Sequence, residues 1–456
     1  MVRTKLPIEY NHNSQLGALN DDPTTFLLLE KFFDDVYIVT DRKQHWLEDL
    51  PLSSNINSLN MPVGKNYDTE ALLRSKRFFE YQKNNPKIKF DLYQPLDPPY
   101  KVNPLVYLMN SPTIAHAYEN KRYFRDEFSD LIRMPEYENK YISELDKAAS
   151  YRDLHDEYGD FVLQDEESHG SKGTYIVKDY EDYTDAVRGL KKYSRGRSVV
   201  VSKFYPGETS SIQVCITKYG IFSGGIQRQL LGSKHLSNPK LEGVAKWCGG
   251  ELGTEYPDIV QHQAQEMATI VGSELASHGY KGIFGIDIIV TPENEVYAIE
   301  INARHTGYSH LISNMQLLEG KIPFMLLHVL ELGNFEYEVK DLDALPSMGR
   351  YKKPVSYLIV NNPLDEDYVM EQYIRPGVYR YKDGKIEFEK SGIFLNDLKG
   401  EDTFIVHTKY NQGEVIGKGR RILKITKFGK AMSKGDLNLK SQAIVDAVKK
   451  EFGLPQ

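Results

Sequence analysis

Apolar residues along this chain fall in short runs whose period alternates between that of a strand and that of a helix. Continuous runs predict buried strands at 35–40, 89–93 and 104–109, with helical stretches at 24–33 and 70–82 between them. Helices alternating with buried strands imply a small open α/β domain over residues 1–110. Ser111-Pro112, a capping hydroxyl followed by proline at the first helical position, opens a helix predicted to carry Asn120 and Lys121 toward Phe128. Strands follow at 160–164, 174–177, 198–205 and 211–217, with a loop at 168–173 and a helix over 179–193. A helical period over 258–278 (Ile259, Met267, Ile270, Val271, Leu275) leads into two Ile- and Val-rich runs at 285–290 and 296–302. These runs flank Thr291-Pro292-Glu293-Asn294 and predict a hairpin. Beyond about residue 333 the pattern turns to β. It has a hairpin at 379–388 about Asp383-Gly384, a strand at 419–426 and a closing amphipathic helix at 437–452.

A chain of 456 residues is too long for one ordinary core, so two or three lobes are expected. The formal charge of −7 argues against broad electrostatic binding of nucleic acid. Cys215 and Cys248 are too few for a disulfide framework or a cysteine-based zinc site. The N-terminus lacks the apolar core of a signal peptide and no later run could span a bilayer, so a cytoplasmic protein with no membrane partner is expected. The absence of a Gly-x-Gly-x-x-Gly fingerprint argues against dinucleotide binding by residues 1–110.

The predicted hairpin carries polar groups that a purely structural strand does not need. Glu300 and Asn302 are two apart and share a face, and pairing across the turn can bring Asp287 beside them. Two carboxylates and an amide oxygen form a hard oxygen cluster, which Mg²⁺ accepts when phosphates complete its shell. Arg304 projects to the same side if the extended conformation continues. The alternative is a solvated hairpin with an acidic outer face. Glu-x-Asn-x-Arg after a strand, with Asp on the preceding strand, resembles the magnesium-binding hairpin of the ATP-grasp superfamily. The 13-residue separation of Asp287 from Glu300 is typical of it. The resemblance covers roughly 110–332 well and both flanks loosely. It implies ATP and two magnesium ions, or manganese in their place, with Asp287, Glu300 and Asn302 as metal ligands. Arg304 would steady the reacting phosphoryl or carboxylate oxygen.

The same resemblance implies an α/β fold with α+β order within its lobes. Residues 111–332 would form the ATP-grasp domain, with a mobile nucleotide-covering part at about 135–205, and 333–456 a C-terminal lid-like β/α domain. Lys121 would contact the nucleotide phosphates. Gly170, Lys172 and Gly173 belong to a loop whose backbone amides can turn toward an anion. Ser202, Lys203, Phe204 and Tyr205 would form the adenine hinge, and Glu208 would hold the ribose hydroxyls. Two positions depart from the family pattern. Gln164 stands where the family usually has Lys, and Ser202 where it often has Glu. Gln164 can hydrogen-bond but brings no charge, and Lys172 or Lys203 is expected to restore it. Arg228 is a candidate anchor for a substrate carboxylate, with an exposed arginine on a strand edge as the alternative. His278, His305 and His310 read as structural or supporting residues.

The activity so implied is a carboxylate–amine ligase that forms a peptide or other amide bond through an acyl phosphate. Its partners would be small carboxylic acids and amines, amino acids or peptides first among them, and a homodimer is compatible with it. Two alternatives stand beside it. One is a biotin-carboxylase-like enzyme using a separate carrier, since no Met-Lys-Met motif occurs here. The other is a non-catalytic, synapsin-like ATP-binding protein.

Overall fold

A computed structural model of the chain describes residues 6–62, 68–97, 106–146, 148–167, 173–194, 197–242, 246–348 and 351–456. Near the N-terminus, strands Asn55–Ser58, Asp35–Thr40, Gln15–Leu19, Lys89–Asp91 and Tyr107–Leu108 form a five-stranded sheet in that order. Every pairing in it is parallel. Parallel neighbours need crossover connections, and helices Thr69–Leu73 and Lys76–Asn84 lie on one of them. The single helix expected at 70–82 is divided because Ser75 caps the second piece, accepting from the Phe78 amide at 3.1 Å. The stretch 24–33 is also divided, into the 3₁₀ turns Pro23–Thr25 and Leu27–Lys31.

A second, antiparallel sheet orders Tyr137–Tyr141, Ser198–Lys203, Phe161–Asp165 and Thr174–Val177. Helices Ala148–Tyr158 and Tyr180–Tyr193 cover one face, packing Leu154, Tyr183 and Leu190 with Phe161, Leu163, Val199 and Val201. Strand alternation turns Tyr137, Gln164 and Ser202 to the other face.

The largest sheet has eleven strands. It begins at the hairpin Gly282–Val290 and Val296–Asn302, then passes through Glu208–Thr217, Gln227–Leu231 and Trp247–Leu252. It continues without a break into Val355–Asn361, Arg421–Phe428, Thr403–His407 and the hairpin Gly377–Lys382 and Lys385–Lys390. Asp383 and Gly384 have φ of 51° and 78°, the positive values a two-residue I′ turn requires. The long helix Asp258–Ser277 covers one face, setting Val260, Met267, Val271 and Leu275 against Ile212, Val214, Phe284 and Ile286. A further core draws on distant parts of the chain: Phe26, Leu28 and Trp46 pack with Leu311, Ile312 and Phe324, and with Val355, Tyr357 and Ile405. Cys215 and Cys248 are buried thiols. Among the described residues, no helix is long and apolar enough to cross a membrane.

Candidate active site

The hairpin register decides which side chains meet. Asp287 is the Cα partner of Glu300 and Gly285 that of Asn302, so Asp287, Glu300 and Asn302 share one face. The Asn302 amide donates to Asp287 Oδ2 at 3.1 Å, and Gln229 Nε2 donates to Asp287 Oδ1 at 3.0 Å. Arg304 donates from Nη2 to Asn302 Oδ1 at 2.8 Å, and its Nε lies 3.0 Å from Glu119 Oε1. Lys121 Nζ lies 3.3 Å from Glu300 Oε2. Two acids directly opposite each other repel. Burial, and then the Glu300 charge, push the Asp287 carboxyl far above the usual carboxylate range. Burial also opposes the Glu300 charge, but Lys121 overcomes it and holds that carboxyl below its ordinary value. Hard oxygen donors whose opposed charges raise the Asp287 pKa fit a divalent cation such as Mg²⁺.

Behind Arg304, buried His305 places Nε2 3.2 Å from Asp91 Oδ1, and His328 places Nε2 3.5 Å from the same oxygen. The Ile283 amide donates to His328 Nδ1 at 2.8 Å, so a neutral His328 carries its proton on Nε2. A ring in that tautomer cannot offer Nε2 to a metal. The hydrogen bond between His305 and Asp91 thus joins the N-terminal sheet to the end of the hairpin, with His328 beside the same carboxylate oxygen.

The expected helix from Ser111 toward Phe128 is two helices, Pro112–Glu119 and Lys121–Phe128. Asn120 interrupts it in an extended conformation, its side chain accepting from the Tyr123 amide at 3.0 Å. Lys121 therefore opens the second helix, and Arg125 follows one turn later on the same side. Sequence reading passed over Arg125, because its position depends on this break. Its Nη2 donates to Gln164 Oε1 at 2.9 Å. Gln164 is thus fixed as a neutral acceptor, with Nε2 3.5 Å from Thr174 Oγ1.

Ser202 is buried at the end of its strand, and Lys203 lies 3.5 Å from Glu136. Phe204 donates its backbone amide to Asp160 O at 3.0 Å, and Tyr205 stacks on Tyr297 with centroids 4.3 Å apart. Gly173 adopts a φ of 72° and accepts from the Asp165 amide at 2.9 Å. Gly170 and Lys172 lie outside the described residues.

The structure does not bring Arg228 to this group, and strand phase is the reason. Ser211 pairs with both Asp287 and Gln227, whereas Arg228 pairs with Ser210, so its side chain leaves the opposite face. There it donates to Glu208 Oε1 at 3.0 Å and lies over the Tyr256 ring at 5.8 Å. Its strand is paired on both sides, which also removes the edge-strand alternative. Glu208, expected at the ribose, is occupied by that ion pair. Gln229, in phase with Gln227, is the residue of this strand that reaches Asp287.

Residues 118–308 match the ATP-grasp domain family. No curated relative matches the sequence. Solved structures share the fold at low identity. The biotin carboxylase domain of the Hydrogenobacter thermophilus 2-oxoglutarate carboxylase, solved with MgADP, ADP and bicarbonate, has a TM-score of 0.61 at 11% identity, covering 92% of this chain and 87% of that one. The Bacillus licheniformis L-amino acid ligase gives 0.56 at 13% identity, with 97% and 98% covered. The Thermotoga maritima N5-carboxyaminoimidazole ribonucleotide synthetase gives 0.52 at 12% identity, with 96% and 98% covered. The paired acids and Asn of the hairpin lie within the matched segment, and residues 118–308 are an ATP-grasp domain.

Proposed function

We propose that this chain is an ATP- and magnesium-dependent ligase that joins a carboxylic acid to an amine, forming a peptide or other amide bond. The observation that carries the reading is the convergence of Asp287, Glu300 and Asn302 beside Lys121 and Arg304. Asp287, Glu300 and Asn302 would hold the magnesium, which when bound neutralises charge on the nucleotide phosphates. Lys121 reaches the same phosphates by leaving Glu300. The hinge at Ser202, Lys203, Phe204 and Tyr205 receives the adenine through backbone groups. Arg304, already oriented by Glu119 and Asn302, faces the oxygen that reacts. A carboxylate oxygen of the acid attacks the terminal phosphorus, the bond to the bridging oxygen breaks, and ADP leaves. The amine nitrogen then attacks the acyl carbon, the carbon–oxygen bond breaks, and phosphate leaves as nitrogen gives up a proton. Positioning and charge stabilisation suffice for both steps. Arg228 and Glu208, paired to each other on the far face, take no part.

The test follows the oxygen. Incubation with ATP, magnesium, a panel of amines and a carboxylic acid labelled with heavy oxygen should place label in inorganic phosphate, with amino acids the first substrates to try. Label arriving from bicarbonate, and only in the presence of biotin or a carrier, would replace the ligase by a carboxylase. ATP binding with no substrate-dependent ADP release from any acid and amine would favour a non-catalytic binder.

A further inference from the structure

Arg125 is an unusual buried cation. The residue is 1% exposed, yet among the described residues only Nη2 of its guanidinium has a protein acceptor, Gln164 Oε1; Nε and Nη1 have none. Buried arginines ordinarily have their five donors matched and a carboxylate beside them. The acid whose charge reaches Arg125 is Glu300, and that carboxylate is already paired with Lys121 at 3.3 Å. The Tyr137 ring, 5.9 Å from the guanidinium carbon, closes another side. Arg125 therefore stands between the sheet that carries Gln164 and the hairpin that carries Glu300, with donors to spare. Burial draws its pKa down to about 10, which leaves it charged at neutral pH.

We propose that Arg125 is a phosphate-binding residue, its Nε and Nη1 groups donating to an oxygen of the nucleotide's β- or γ-phosphate. The assignment rests on the ATP reading above and deepens it. It supplies the charge that Gln164 lacks, and it gives Gln164 a purpose, as the neutral acceptor that aims the guanidinium. A neutral residue there lets one flat fork replace a point charge without crowding two cations together.

The test is calorimetric titration of the full chain with ATP, ADP and AMP in magnesium, for wild type, Arg125→Met and Arg125→Lys, beside the ligand-free melting temperature of each. Arg125→Met should lose about 10- to 100-fold in affinity for ATP and ADP, the range for hydrogen bonds to charged groups, and keep its affinity for AMP. Its ligand-free melting temperature should stay level or rise, because an incompletely matched buried charge has been removed. Unchanged ATP affinity with a lowered melting temperature would make the guanidinium a structural element and overturn the proposal. An equal loss for AMP would overturn it too. Should the Met variant not fold, Arg125→Lys decides: reduced ATP affinity at unchanged melting temperature supports the role, and wild-type affinity refutes it. A wild-type chain that binds no adenine nucleotide would instead remove the ATP reading, and this assignment with it.

Discussion

Asp287 and Asp22 are both sheltered from water, and their carboxyls are driven in opposite directions. Burial disfavours the charge in each, so the neighbours decide. Beyond burial, Asp287 feels Glu300 across the hairpin and is pushed far up. Against burial, Asp22 is held well below the usual carboxylate range by Lys424 and Arg421, whose nitrogens lie 2.8 Å and 2.5 Å from Oδ2. Thr24 Oγ1 donates to its other oxygen at 2.6 Å. The Asp22 carboxylate has its partners within the protein, and it fastens the segment after the strand Gln15–Leu19 to the strand Arg421–Phe428. The Asp287 cluster has two acids opposed across the hairpin, and on the reading proposed above a divalent cation completes it. Acids set against each other mark where a cation is expected; an acid held between two cations marks a joint.

The largest effect should come from breaking the joint. Asp22→Asn keeps the hydrogen bonds with Thr24 but strips two cations of their counter-charge, and should cost about 3 kcal/mol, the low end for a broken buried pair. The low end applies because Lys424, drawn down to about 8 by burial and Arg421, can shed its proton. Urea unfolding at pH 7 measures it, and wild-type stability would show that the cations, not the pair, make the joint. Glu300→Gln should act on the other cluster in the opposite way. Turnover should fall by about 10²- to 10³-fold, the usual loss when one charge-stabilising group is removed, while the melting temperature stays near that of the wild type, because the lost Lys121 pair is offset by relief of the repulsion with Asp287. Parallel losses of stability and turnover would mean that Glu300 is structural.

The two clusters were not equally legible in the sequence. Asp287, Glu300 and Asn302 lie on one hairpin: spacing put Glu300 and Asn302 on one face, and pairing across the turn allowed Asp287 beside them, as the family resemblance implied. Asp22 and its partners are 399 and 402 residues apart, and no local pattern announces such a pairing. Three of the five parallel N-terminal strands, three of the four strands of the second sheet and the long helix at 258–277 were readable from their apolar periods; Gln15–Leu19, Asn55–Ser58 and the polar Tyr137–Tyr141 were not. The unbroken eleven-stranded sheet was not, since strand order depends on which edges meet after folding. The same ignorance favoured Arg228 over Gln229. Charge pointed to one, but phase with a strand two places away selects the other. Arg125 was hidden by the break at Asn120, whose side chain competes with the helix in a way that a Ser-Pro start does not reveal.

Strand phase gives a third and smaller test. Gln229→Leu should weaken magnesium activation of ADP formation by about 10- to 100-fold, the usual cost of removing a partner that orients a metal ligand. Arg228→Leu should leave the magnesium dependence where it was. Equal effects from both would contradict the assignment of the two side chains to opposite faces.

Acid should separate the clusters by slope. His407 is 4% exposed, both of its ring nitrogens lack partners among the described residues, and it faces Lys424, Asp22, Arg421 and His310. Burial, and then Lys424, keep its pKa well below the ordinary 6.5, and the same two causes bring His310 to about 3. Below pH 6.5 the unfolded chain therefore binds protons that the folded chain refuses, and stability falls as pH falls. Each such histidine contributes up to about 1.4 kcal/mol per pH unit. Asp22, with a lowered pKa, adds its own loss below the unfolded carboxylate value of 3.8. Asp287, with a raised pKa, works in the other sense: the folded chain takes up its proton first, so its contribution grows as pH falls toward 3.8. Urea unfolding of the magnesium-free protein between pH 4 and 7 should show the histidine slope, and His407→Leu should flatten it by about 1.4 kcal/mol per pH unit. Parallel curves for wild type and variant would mean that His407 takes up its proton in the folded state, and that the buried joint opens to water in acid.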